Sequence, residues 1–338
     1  MKIGVWQMEG WEAEYFTKAL AGQEVEIFSG KLSAEELPEK RDFEAICVFV
    51  GLPVSVEVID AFPKLKLITT RSTGYDHIDL KAAGAKGIQV GYVPSYGENT
   101  VAEHTFGLLL TLSHHIYEGY DRLREKGEYS FEGLEGFDLK GRTIGVVGTG
   151  RIGVHSIRIA KGFEMKVIAY DAYPKAGLDK EIGFEYKKSL EELLAEADVV
   201  TLHVPYMSET HHLINKDNIG KFKKGAVLIN TSRGAVVETD ALVRALKEGH
   251  LGGAGLDVME EEGVMADEMG YLLSGSEKTD LKVVLENHAL IDMPNVIVTP
   301  HSAFNTREAK ERILKTTVEN ILSFAESGKT KNSVEDIK

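Results

Sequence analysis

The sequence predicts an α/β fold made of two doubly wound parallel-sheet domains. Three observations carry this. Short apolar runs alternate with amphipathic stretches along most of the chain, the pattern that parallel sheets with crossover helices require. The alternation breaks at an unusually apolar stretch, residues 100–117, and resumes at Thr143. The length, 338 residues, suits about two domains.

In the first half, strands are expected at 2–6, 24–28, 45–50, 65–70 and 88–93, with helices at 11–21 and 54–61. The acidic stretch 33–43 reads as solvated helix and loop. Residues 101–112 are apolar around most of a helical circumference, so the 100–117 helix must be covered on several sides. Residues 117–135 read as a charged helix and loop. Beyond them, strands are expected at 143–147, 166–170, 199–203, 226–230, 253–258 and 296–299. Helices are expected at 152–163, 190–196, 216–221 and 239–249. That is a six-strand unit of the Rossmann type with right-handed crossovers. The amphipathic stretch 305–324 is too long for another crossover and is expected to pack back on the first domain.

The resumption at Thr143 has a specific form. The strand 143–147 runs into Gly148, Gly150 and Gly153, spaced G-x-G-x-x-G with Arg151 and Ile152 inside, and a helix follows. The first glycine makes the tight turn and the second lets a pyrophosphate approach. The third lets helix pack on strand, and the helix N-terminus offers unpaired N–H groups. A glycine-rich turn can occur without a ligand. Here, however, the next strand ends in Asp171, 23 residues past Gly148 (171 − 148), close to the ~20 expected of a ribose-binding acid. A carboxylate accepts from ribose hydroxyls and repels a 2′-phosphate, and Ala172-Tyr173-Pro174 supplies no arginine to welcome one. The expected cofactor is therefore NAD.

Composition narrows the classes further. With 43% hydrophobic and 27% charged residues, the chain can bury a sizeable core without disulfides or metals. A formal net charge of −14 argues against nucleic acid and anionic membranes, and it means that an anionic substrate needs its own local cation. The lone cysteine, Cys47, cannot form a disulfide within the chain and reads as a core thiol in a reducing, cytoplasmic setting. The N-terminus turns polar before a signal-peptide core develops. No apolar run approaches the ~20 residues that span a bilayer. No metal ligand set is expected.

Ligands of doubly wound sheets lie beyond the carboxyl ends of the strands. The 226–230 strand runs into Thr231-Ser232-Arg233-Gly234. The 253–258 strand contains Asp257 and runs into Met259-Glu260-Glu261-Glu262, and the last strand runs into Pro300-His301-Ser302. An arginine holds a carboxylate bidentately. A histidine gives and takes a proton near neutrality, and a neighbouring carboxylate favours its protonated form. The set suits hydride transfer between a nicotinamide and a 2-oxo acid. Each residue also has an ordinary use, as loop histidine, surface ion-pair partner or solvated glutamate, and strand ends alone leave both open.

These residues belong to longer segments that together resemble the D-2-hydroxyacid dehydrogenase family, especially its D-lactate dehydrogenase branch. The segments are Arg71-Ser-Thr-Gly-Tyr-Asp-His-Ile-Asp79, Val93-Pro-Ser-Tyr-Gly-Glu-Asn-Thr-Val-Ala-Glu-His104, the glycine turn, Leu202-His-Val-Pro205, Ile229-Asn-Thr-Ser-Arg-Gly234, Gly255-Leu-Asp-Val258 and Thr299-Pro-His-Ser-Ala-Phe304. The resemblance implies an NAD-dependent reduction of pyruvate to D-lactate. By it, Arg233 binds the substrate, His301 is the acid/base and Glu262, five residues after Asp257, is its partner. Thr73 and Gly74 match N–H donors to the substrate carboxylate, and Tyr96 matches a substrate-side tyrosine. Asp257 matches a contact of the nicotinamide carboxamide. Arg151 and Ile152 match the pyrophosphate turn, with Val204, Pro205, Thr231 and Ser232 along the cofactor.

The family also implies a flavodoxin-like substrate-binding domain, 1–98 plus 300–338, and an NAD-binding domain, 99–299. Between them would lie a cleft that closes on substrate, with 100–117 as hinge and homodimer helix. Asn305 stands where the lactate branch often has tyrosine, which leaves the side-chain preference open. The long 262–294 segment and Pro-His-Ser-Ala-Phe favour the lactate branch. A bulkier 2-oxo acid as substrate, or an NAD-sensing corepressor, are the alternatives to be tested.

Overall fold

Five short runs rich in β-branched and aliphatic residues build the first sheet of the computed structural model, which describes residues 1–34, 36–265, 268 and 281–334. The chain divides into two units, Met1–Tyr96 with Thr306–Lys338, and Gly97–Asn305.

The first unit runs β1 (Lys2–Trp6), α1 (Gly10–Ala19), β2 (Glu24–Phe28), β3 (Ala45–Val48), α2 (Val56–Ala61), β4 (Leu67–Thr70), α3 (Leu80–Ala85) and β5 (Gln89–Gly91). The sheet order is β2-β1-β3-β4-β5, with every pair parallel, the flavodoxin-like order. Strands β3 and β4 are buried at every residue, which explains why neither alternates apolar with polar: β3 is a continuous apolar run and β4 ends in two buried threonines. The C-terminal helix, Arg307–Ser327, lays Leu314, Val318, Ile321 and Phe324 against Ile3, Val5, Ala45 and Leu67, the i, i+4, i+7 stripe of an amphipathic helix. On another cluster of this unit, Trp6, Phe43, Ile46 and Ile68 pack together. Cys47 is fully buried, and burial pushes its thiol up to about 11 although Arg71 beside it pulls the other way. It is an inert core residue. Two expectations need correction here. The described part of 33–43 contains no helix. The short helix α3, capped by the Asp79 carboxylate on the Ala82 N–H at 2.8 Å, was not foreseen, because six residues with a central glycine give no helical period.

The second unit opens with α4 (Glu98–Ser113) and α5 (Ile116–Lys126). It continues β6 (Thr143–Val147), α6 (Arg151–Gly162), β7 (Lys166–Tyr170), α7 (Leu178–Ile182), β8 (Glu185–Tyr186), α8 (Leu190–Glu196), β9 (Val199–Leu202), β10 (Ala226–Asn230), α9 (Thr239–Lys247), β11 (Leu251–Leu256), α10 (Glu262–Met265), α11 (Leu281–Ile291) and β12 (Val296–Val298). The order β12-β11-β10-β9-β6-β7-β8 is all parallel. It is the Rossmann order with the strand direction of travel reversing beside β6.

The sheet has seven strands rather than the expected six, because the two-residue β8 is too short to show a period. The expected 216–221 helix is a single 3-10 turn, Ile219–Lys221. The expected 100–117 helix is two helices, broken at His115, whose φ is +50°. Helix α4 is covered because β11 is glycine-rich. A Cβ on Gly255 would lie 3.0 Å from Leu108 Cβ, so only glycine lets α4 come this close. On α5, by contrast, Ile116, Tyr120 and Leu123 form an exposed stripe, with Tyr129 and Phe131 exposed beyond it. Of the long 262–294 segment, residues 266, 267 and 269–280 lie outside the described residues. Among the described residues no helix is long and apolar enough to cross a membrane.

Candidate active site

The glycine turn joins β6 to α6 at the switch point of the second sheet, where β6 lies between β7 and β9. Gly148 has φ +93°, and a Cβ there would sit 2.5 Å from the His203 carbonyl oxygen. A Cβ on Gly153 would sit 2.0 Å from the Gly148 carbonyl oxygen. Both positions therefore demand glycine. Gly150 is different, since a Cβ there would meet no protein atom within 4 Å. Its missing side chain leaves open space in front of the first N–H groups of α6, which an α-helix cannot pair internally. That combination suits a pyrophosphate.

Asp171, at the end of β7, is bound into the same turn. Its Oδ2 accepts the Thr149 N–H at 2.6 Å and the Thr149 hydroxyl at 2.8 Å, and its Oδ1 accepts the Tyr173 N–H at 2.9 Å. Burial alone would raise its carboxyl, but the Thr149 and Tyr173 amides and the Thr149 hydroxyl outweigh it and hold the group below the usual range. Asp171 is thus anionic at neutral pH and retains lone pairs on Oδ1 for a ribose hydroxyl. The histidine of Leu202-His-Val-Pro205 has no such role. The His203 ring lies by the Ser156 and Thr201 hydroxyls, and burial pushes it down to about 3, so it is neutral. Val204 is half-buried and Pro205 exposed beyond it.

Beyond β10, Asn230 braces the rim. Its Oδ1 accepts from the Ser232 N–H and hydroxyl at 3.0 and 2.7 Å, and its Nδ2 donates to the Arg233 carbonyl at 2.9 Å. Thr231 and Ser232 are buried, and Arg233 is half-buried with Nη1 donating to the Ser232 carbonyl.

Beyond β11, Asp257 is 1% exposed. Its carboxylate accepts from the Thr299 hydroxyl at 2.6 Å and from the Ser302 and Ala303 N–H groups, each at 2.9 Å. Since Thr299 spends its proton on Asp257, it accepts from His104 Nε2 at 3.0 Å, which assigns the proton of His104 to that nitrogen. Burial would raise Asp257, but His104, Thr299 and the two amides hold it below the usual range. All of these carboxylate bonds from 299–303 serve the turn that carries His301.

His301 itself has φ +49° and donates its N–H to the Asp257 carbonyl at 2.8 Å. Its Nδ1 faces Glu262 Oε1 at 2.8 Å. A carboxylate only accepts, so Nδ1 carries a proton and Nε2 is the nitrogen left to exchange one. Of the three consecutive glutamates, Glu262 makes this bond, whereas Glu260 is bound to His212 and Thr239.

The expected residues of the first unit lie on the loops after β4 and β5. The Ser72 hydroxyl donates to the Gly74 carbonyl at 2.6 Å and the Thr73 hydroxyl to the Val93 carbonyl at 2.8 Å. Among the described residues the N–H groups of Thr73 and Gly74 have no partner. Arg71 is structural, 3% exposed and donating to the Trp6 and Gln7 carbonyls at 2.7 and 2.8 Å. Tyr96 is half-buried, and its carbonyl accepts from Arg312.

Sequence reasoning passed over Thr149, Asn230, His104 and Glu260. All four act on their neighbours, and only their places inside the quoted motifs could have marked them.

The NAD-binding domain model of the D-isomer specific 2-hydroxyacid dehydrogenases matches residues 106–303. A 2-hydroxyacid dehydrogenase homolog of Zymomonas mobilis is 39% identical over 91% of this chain and 91% of its own length. A glyoxylate reductase of Korarchaeum cryptofilum is 37% identical over 84% of this chain and 80% of its own. The crystal structure of D-lactate dehydrogenase from Aquifex aeolicus, complexed with NAD and lactic acid, is 37% identical and superposes with a TM-score of 0.85, covering 98% of this chain and 99% of that one. The chain therefore belongs to the D-isomer specific 2-hydroxyacid dehydrogenase family, and its cofactor is NAD.

Proposed function

We propose that the protein is an NAD-dependent D-lactate dehydrogenase that interconverts pyruvate and D-lactate. The observation that carries this reading is the His301–Glu262 pair, 2.8 Å apart, on the segments that follow β12 and β11, next to β10, which leads to Arg233. Three adjacent strand ends, those of β10, β11 and β12, thus bear an arginine, a glutamate and a histidine. The nicotinamide cofactor, held at the glycine turn, would supply the hydride chemistry at C2 of the 2-oxo acid. His301 Nε2–H then protonates the oxygen of that carbon, and Glu262 stabilises the imidazolium beforehand. Arg233 holds the substrate carboxylate with its fork, and the N–H groups of Thr73 and Gly74 add donors, with Tyr96 on the substrate side. In lactate oxidation, neutral His301 takes the proton back.

Under this reading, 1–98 with 300–338 serves the substrate and 99–299 holds NAD. Arg151 and Ile152 flank the pyrophosphate, and Val204, Pro205, Thr231, Ser232 and Asp257 lie along the cofactor. The exposed stripe of Ile116, Tyr120 and Leu123 supports a homodimer formed through α5, and the buried thiol supports a cytoplasmic enzyme. Tyr120→Lys should then lower the mass in sedimentation.

The Korarchaeum glyoxylate reductase, as similar in identity as the Aquifex enzyme, favours glyoxylate as the second reading. An NADH-oxidation panel over pyruvate, glyoxylate, hydroxypyruvate, 2-oxobutyrate and phenylpyruvate, with chiral analysis of product, decides. Highest kcat/KM with pyruvate, yielding D-lactate, is the expected result. Faster glyoxylate reduction would replace the substrate, and no turnover of any 2-oxo acid would overturn the reading. Arg233→Lys should lose about 100-fold or more in kcat/KM, because a point charge cannot replace the bidentate fork.

A further inference from the structure

Glu260 is not an acid at the site, yet more bonds converge on it than on Glu262. Its Oε2 accepts the Thr239 N–H at 2.9 Å and the Thr239 hydroxyl at 2.6 Å. Its Oε1 accepts from His212 Nε2 at 2.7 Å, and its backbone carbonyl accepts from Asn287 Nδ2 at 2.7 Å. Its side chain is only 13% exposed. Each of these partners comes from a different element. Thr239 is the first residue of α9, whose N-terminus favours an anion. Asn287 lies on α11 and is fully buried. His212 precedes the bridge between Ile214 and Val237, and its own N–H donates to the Ala235 carbonyl at 2.8 Å.

The Arg233 rim is pressed onto the same segment. A Cβ on Gly234 would lie 2.0 Å from the Met259 carbonyl carbon and 2.3 Å from the Glu260 nitrogen. Backbone therefore lies directly on backbone at the residue after Arg233. The peptide that Gly234 touches is two residues before Glu262, and Glu260 is what holds that peptide in place.

We propose that Glu260 is a positioning residue. It locks the loop after β11 so that Glu262 stays on His301. The inference rests on the catalytic reading of His301, Glu262 and Arg233. Its role is geometric and not ionic, and this sets it apart from Glu262. An amide at 260 can still accept from Thr239, and it can donate to His212 once that ring adopts its other tautomer. An amide at 262 keeps a hydrogen bond but loses the charge.

The test compares Glu260→Ala, Glu260→Gln and Glu262→Gln in pyruvate reduction by NADH. Glu260→Ala should lose about tenfold in kcat while the NADH dissociation constant stays unchanged, and Glu260→Gln should restore most of the loss. The double variant Glu260→Ala/Glu262→Gln should be no slower than Glu262→Gln alone, because Glu260 acts through Glu262. Wild-type kcat in Glu260→Ala, an amide that fails to rescue, or losses that multiply in the double variant would each overturn the proposal. An unimpaired Glu262→Gln would instead overturn the catalytic reading. If Glu260→Ala does not fold, His212→Ala removes one bond of the set and should show a smaller loss in kcat, also absent on the Glu262→Gln background.

Discussion

The carboxylate of Asp257 accepts the N–H groups of both Ser302 and Ala303 at 2.9 Å, and the backbone between them and Thr299 holds His301 at a φ of +49°. A non-glycine residue in the left-handed region costs of order 1 kcal/mol and persists where its surroundings over-determine it. Here the over-determination comes from one buried carboxylate.

Asp257→Asn replaces one acceptor with a donor that faces an N–H. It should cost about 2 kcal/mol of stability and reduce kcat more than NADH affinity. The pH dependence has a definite sign. Asp257 is held below its ordinary range when folded, so its contribution is present above the unfolded value near about pH 4 and is lost as pH falls through the lower folded value. Urea unfolding should therefore show the gap between wild type and Asp257→Asn narrowing on acidification. A gap that widens would refute the assignment.

Glu262→Gln keeps the bond to His301 and deletes the charge. The imidazolium that donates the proton in pyruvate reduction then loses its counter-charge, so kcat should fall about 100-fold while the NADH dissociation constant stays unchanged. An unimpaired kcat would separate Glu262 from the chemistry.

The second and third glycines of the turn should fail in different ways. Gly153→Ala drives a methyl into the Gly148 carbonyl, so it should cost about 1–3 kcal/mol in overpacking and lower Tm. Gly150→Ala has space within the protein and should leave Tm nearly unchanged while weakening NADH binding, seen by fluorescence titration. Unweakened binding in Gly150→Ala would argue against a pyrophosphate at this turn.

Asp171→Ala removes the charge that repels a 2′-phosphate. The NADPH/NADH ratio of kcat/KM should rise about tenfold, roughly 1.4 kcal/mol of relieved repulsion. The variant should also lose stability, since the Thr149 N–H and hydroxyl lose their acceptor. A ratio that stays at the wild-type value would place cofactor choice elsewhere.

Much of this molecule is local information, and the chain displays it. Buried parallel strands such as β3 and β10 are apolar for at least four consecutive residues, so composition and length suffice to find them. The glycine turn is legible because Gly148 and Gly153 are forced by contacts within one strand–turn–helix unit. The short pieces escaped, namely α3, β8 and the 3-10 turn at Ile219, because two to six residues cannot establish a period. Among Glu260, Glu261 and Glu262, composition offered no choice, and only a family resemblance singled out the third.

The sequence by itself determined two parallel-sheet units, a dinucleotide turn with its acid at Asp171, and an arginine, an acid and a histidine at three successive strand ends. Those features depend on neighbours close in the chain. Tertiary structure decided which glutamate meets His301, which nitrogen of the ring that glutamate engages, and which loop groups bond to Asp257, His104 and Glu260. Those outcomes depend on hydrogen bonds between residues dozens to nearly two hundred positions apart, such as His104 and Thr299. No local pattern encodes them, because each hydroxyl, ring or carboxylate acquires its role only from the partner that folding brings to it.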